Sequence, residues 1–132
     1  MLGRSTTYSS QIVEAGSILL GHAWGGVHAA DTLPTQPAAA LTCRVVNTAS
    51  TGDGSGGVHW VACVEQNGQR HFNDPLGTAG AAQRSTLERR YPDAQWADMD
   101  AEQRRDQRDC GVRALVALAI ARDCSVECFM EL

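Results

Sequence analysis

The dipeptide Asn67-Gly68, set between VHWVACVEQ and QRHFND, constrains this chain more than any other feature. Asn-Gly is the preferred pair for a two-residue type I′ turn, because both positions need a positive φ that glycine and asparagine tolerate best. The flanking segments, rich in β-branched and aromatic residues, therefore read as two strands of one hairpin. If Asn67 and Gly68 are the loop, Gln66 faces Gln69, and the numbers of every facing pair sum to 135. Side chains alternate faces with period two, so His59, Val61 and Cys63 share a face with Phe72, Asp74 and Leu76. His59 and Asp74 become diagonal neighbours, roughly 7–8 Å apart at their centres and within reach of an imidazole–carboxylate bond. His71 leaves on the other face. The face with Val61, Cys63, Phe72 and Leu76 is apolar enough to be the one that packs on a helix.

That helix is expected from Cys110 to about Arg122, where CGVRALVALAIAR is apolar on nearly every side and so reads as buried. Asp109 is placed to cap it. A cysteine at a helix N-terminus meets aligned backbone N–H groups that stabilise a thiolate, and a nearby imidazolium adds to the effect. Upstream, SSQIVEAGSILLGHAW predicts a helix over 9–24, with glycines weakening its ends. HAADTLPTQPAAA reads as a loop and LTCRVVNT as a short strand. A further helix is expected around 79–90, with Ser85 and Glu88 offering a capping box, and a short strand in DAQWADMD. The fold class that follows is α+β: a small mixed sheet with a central hairpin, packed on a buried helix that carries Cys110 at its N-terminus. The 132 residues read as one compact domain, 1–132, without repeats or low-complexity tracts.

Several function classes fall away on composition. The 11 basic residues are interspersed among 15 acidic ones, which predicts no nucleic-acid partner. The longest apolar run, Ala114 to Ala121, is too short to span a bilayer, and residues 1–11 lack a signal-peptide core. TGDGSGG contains G-x-G-x-x-G at Gly52, Gly54 and Gly57, but VHWVACVE follows as a strand where a dinucleotide site needs a helix. His22, His28 and Asp31, or Cys124 and Cys128, could serve a metal, yet no second pair at zinc spacing accompanies them, so no metal or cofactor is expected. Cys43 and Cys63 read as strand filler. Five cysteines, an odd number, predict reduced thiols in a cytosol-like compartment. All 11 basic residues are arginine. A GC-rich genome accounts for that composition; the alternative is a chain that offers ubiquitin ligases no side-chain amine.

His59-Trp60, NDPLG around Asp74, a glutamine, and Asp109-Cys110-Gly111 together resemble the clan of ubiquitin-like-protein-specific cysteine proteases. That clan includes SUMO and NEDD8 proteases, the adenoviral protease and deubiquitinating effectors of intracellular bacteria. Its His…Asp…Gln…Cys order separates it from papain-like enzymes, and the resemblance covers about residues 56–122. It implies a thiol protease or isopeptidase acting after the C-terminal Gly-Gly of ubiquitin or a ubiquitin-like modifier. On the same basis Cys110 corresponds to the nucleophile, His59 to the base, Asp74 to the acid that orients it, and Gln103 to the oxyanion donor. Trp60 corresponds to the tryptophan of the Gly-Gly channel, and Gly111 to the residue that leaves room beside the nucleophile. Gln107 competes with Gln103, whose spacing to Cys110 is nearer the family's. Only 58 residues precede His59, so the N-terminal region that family members use in modifier binding is shortened. The alternatives are an acetyltransferase effector of the same clan, which typically carries Glu at the acid position and lacks the His-Trp pair, and a non-catalytic modifier-binding relative. Secretion into a host cell as a bacterial effector is a further implication.

Overall fold

The computed structural model describes residues 9–48, 59–74, 85–97 and 110–131. In chain order the elements are α1 (Ser9–Leu20), β1 (Trp24–His28), β2 (Thr42–Asn47), β3 (Trp60–Gln66) and β4 (Gln69–Asn73). Then come α2 (Ser85–Arg90), β5 (Gln95–Trp96), α3 (Cys110–Asp123) and α4 (Val126–Met130). The strands form one mixed sheet in the order β1-β2-β3-β4-β5, antiparallel through β2, β3 and β4 and parallel at both edges. The α+β class with a central hairpin is therefore as expected.

The hairpin turns on Asn67 and Gly68, with φ of 56° and 75°, the positive values that a type I′ turn requires. Its register runs from Gln66 opposite Gln69 to Ala62 opposite Asn73, as the pair arithmetic demands.

Several expectations need correction. First, the helix over 9–24 stops at Leu20, because Gly21 takes a left-handed φ of 54° and a short 3₁₀ turn follows. Trp24 instead opens β1, and its indole lies so close over Gly16 that a Cβ there would meet Trp24 Cζ2 at 2.5 Å. Gly25 and Gly26, expected only to weaken the helix's end, lie in this edge strand beside β2, with a bulge between Trp24 and Gly26.

Second, α3 packs on the face opposite to the one expected. Trp60, Ala62 and Val64 join Cys43, Val45, Leu115, Leu118 and Phe129 in one cluster. Val61, Cys63 and Phe72 join Val46, Leu87, Ala30 and Leu33 in another. WVACV is buried on both sides, so alternation alone offers two apolar sets and does not say which of them takes the helix. Third, α3 is not buried all round: Val112 and Val116 are 38% and 53% exposed, while Ala114, Leu115, Ala117, Leu118 and Ala121 face the core.

Cys124 and Cys128, expected as reduced thiols, are joined in a disulfide. Among the described residues no helix is long and apolar enough to cross a membrane.

Candidate active site

His59 is the residue immediately before β3, and Asp74 the residue immediately after β4. The Thr48 N–H donates to the His59 carbonyl at 3.0 Å, which continues the β2–β3 pairing and pins the histidine backbone at the end of the sheet. On the hairpin's parity both side chains leave on the Val61 and Phe72 face. His59 Nε2 lies 2.7 Å from Asp74 Oδ1, with both residues all but fully buried. A bond this short between an imidazole and a carboxylate holds the ring proton on Nε2. Nδ1 is then the basic nitrogen. Away from water the bond also fixes the ring plane, because each partner depends on the other for compensation.

Trp60, the neighbour of His59 on the strand, points to the other face. It is buried against the α1–α3 side, and it also borders a groove of about 340 Å³ with Val13, Val27, His28, Ala29 and Asn47. Gly111 is buried in the first turn of α3.

Cys110 is the first residue of α3. The Cys43 thiol reaches the Leu118 carbonyl at 3.9 Å, and Arg122 reaches the carbonyl of Leu19 at the end of α1. Cys43 stands at the start of β2, opposite Val64 of β3. The C-terminal half of α3 thus lies near the Cys43–Val64 pair of the sheet. The Cys110 side chain, Gln103, Gln107, Asp109 and Leu76 lie outside the described residues.

The two buried thiols differ from a nucleophile in kind. Burial pushes Cys43 up to about 11 and Cys63 further still, and the Glu65 carboxylate adds to the effect at Cys63. Both are neutral filler at pH 7, which is the role read for them.

Two features escaped the sequence reading. Asn73 is buried and donates from Nδ2 to the Phe129 carbonyl of α4 at 3.0 Å. At the turn end of the hairpin, buried Glu65 accepts from Arg70 Nε at 2.7 Å and from the Ala38 N–H at 3.0 Å, with Arg44 Nε 3.2 Å away. Arg70 also donates to the Pro34 carbonyl at 2.6 Å and lies over the Tyr91 ring. The Glu65–Arg70 pair was discoverable, since the two numbers sum to 135 and the residues face each other across the hairpin. No protein-family model and no curated protein matches this chain.

Proposed function

We propose that the chain is a cysteine peptidase or isopeptidase that cleaves after the C-terminal glycine of ubiquitin or a ubiquitin-like modifier. The observation that carries this reading is the buried 2.7 Å contact between His59 Nε2 and Asp74 Oδ1. A hydrogen-bonded His–Asp pair supplies an oriented base whose other ring nitrogen accepts and returns one proton. Hairpin parity puts histidine and aspartate on the face opposite to α3, so the mechanism requires the Cys110 thiol to reach them around the end of the sheet.

In this mechanism the Cys110 thiol gives its proton to His59 Nδ1, and the thiolate attacks the carbonyl carbon of the modifier's last glycine. The negative oxygen that forms is met by the Gln103 amide and the Cys110 backbone N–H. As the C–N bond breaks, His59 returns the proton to the leaving amine. Water, deprotonated by His59, then attacks the thioester, releasing the free carboxylate and restoring the thiol. Asp74 keeps the ring oriented and stabilises its cationic form throughout. No cofactor enters these steps. A role as a bacterial effector in a host cell rests on the resemblance and on the lysine-free composition.

The test is a panel of ubiquitin, SUMO and NEDD8 probes with a thiol-reactive C-terminal group, alongside fluorogenic C-terminal amides of the same modifiers. One modifier should label wild type and be turned over, and Cys110→Ala should abolish both. Labelling that survives Cys110→Ala, or binding without turnover of any reporter, overturns the proposal; transfer of label from acetyl-CoA would identify a transferase instead.

A further inference from the structure

α4 has five residues, too few to persist as a helix without help from its surroundings. Four contacts hold it. Ser125 Oγ accepts from the Cys128 N–H at 3.1 Å, capping its first turn. Phe129 is fully buried in the core. The Phe129 carbonyl accepts from Asn73 at 3.0 Å, and the Cys124–Cys128 disulfide closes the turn joining α3 to α4.

The third contact ties α4 to the candidate site, because Asn73 is the residue before Asp74. The backbone that carries the carboxylate leaves β4 through a side chain clamped to α4. The fourth contact can be made or broken by chemistry: Cys124 is exposed, whereas Asn73, Asp74 and Phe129 are buried.

We propose that the Cys124–Cys128 disulfide is a redox control on the His59–Asp74 pair, transmitted through α4 and the Asn73–Phe129 hydrogen bond. Its effect on cleavage rests on the function proposed above; its effect on the pair does not. The reductant is a dithiol. One of its thiolates attacks Cys124 Sγ, the Cys124–Cys128 bond breaks, and Cys128 departs as a thiolate that takes up a proton. The second thiol of the reductant displaces Cys124 and leaves as a cyclic disulfide. Two electrons pass to the protein, and each cysteine ends with one proton. The short helix, released at its N-terminal turn, then holds Asn73 less firmly, and Asp74 is less well aimed at Nε2.

The experiment is solution NMR of the full chain with and without dithiothreitol, the state of the disulfide being checked by mass spectrometry. Reduction should speed hydrogen exchange of the Asn73 side-chain amide by roughly three- to tenfold, the range that one hydrogen bond of ordinary net strength controls. It should also shift the His59 ring resonances in the same direction as Asp74→Asn does. Cys124→Ser/Cys128→Ser should show both changes without reductant and no response to it, and Asn73→Ala should reproduce the His59 shift. An Asn73 amide indifferent to reduction overturns the inference, as does an Asn73 response that leaves His59 unmoved. Because neither readout involves Cys110, both can succeed while every modifier reporter stays uncut. That outcome would sink the protease reading and leave the redox coupling intact.

Discussion

The two ends of the central hairpin each bury a basic side chain 2.7 Å from a carboxylate, His59–Asp74 at the open end and Arg70–Glu65 at the turn end. They resemble one another in distance, burial and cross-strand origin, and differ in what the basic group can do. A guanidinium keeps its proton at any pH a folded protein survives, so Arg70 can only hold structure. It does so by tying the Pro34 carbonyl, the Tyr91 ring and the sheet to one carboxylate. An imidazole gains and loses its proton near neutrality, so the equivalent geometry at His59 makes a base with a fixed orientation. Short buried contacts alone do not mark chemistry; the titration range of the partner does.

The comparison breaks most decisively if the two ends respond alike to mutation. Cys110→Ala and His59→Ala should each lower reporter cleavage by at least about 10³-fold, as loss of a nucleophile or its base does. Asp74→Asn should cost less than His59→Ala, because orientation is disturbed while the base survives. His71→Ala, on the opposite face, should leave turnover nearly unchanged; losses comparable to His59→Ala would mean the assignment of the base is wrong.

Glu65→Ala should show the reverse pattern. Removing the carboxylate leaves buried Arg70 without its anion and takes one partner from half-buried Arg44, which costs about 3–5 kcal/mol for a buried pair broken on one side. Urea unfolding should register that loss, while the fraction that remains folded should keep its activity per molecule. Unchanged stability would mean that the turn end is no structural clamp.

Gln103→Ala should lower kcat by roughly 10²–10³ with little change in modifier binding, the usual cost of one oxyanion donor, and Gln107→Ala should be close to neutral. Stopped-flow kinetics on the same reporter would separate kcat from KM. The opposite ranking would move the role to Gln107.

The smallest expected effect is a pH dependence of stability. A thiol is neutral when protonated, and burial raises Cys43 to about 11 from its ordinary 9.0. Below pH 9.0 the thiol is protonated in the folded and unfolded chains alike, so it contributes no slope. Between 9.0 and about 11 the unfolded chain loses the proton first, so stability falls as pH rises through that window. Cys63, raised further, extends the same trend. Thermal unfolding should steepen with pH there, and Cys43→Ala should flatten part of the slope. At pH 7 iodoacetamide should spare Cys43 and Cys63, because both stay buried as neutral thiols.

What the amino-acid sequence determined by itself was local and periodic. Asn67-Gly68 dictated a positive-φ turn, the turn dictated a register, and the register put His59 and Asp74 on one face near enough to bond. Glu65 opposite Arg70 follows from the same arithmetic. Each step depends only on backbone geometry within one hairpin, which is why it could be read without knowing what lies around it. The tertiary structure decided everything that depends on distant partners. It placed α3 on the Trp60, Ala62 and Val64 face, because a strand apolar on both sides carries no signal for choosing between its faces. It turned Trp24 and two glycines into an edge strand, since β2 supplies the hydrogen bonds that WGGVH could not announce. It tied Asn73 to Phe129 across 56 residues of chain, a link invisible to any window along the sequence. Pairing within a hairpin is set by the covalent chain, whereas a choice between two equally apolar faces is settled only when the rest of the chain competes to cover them.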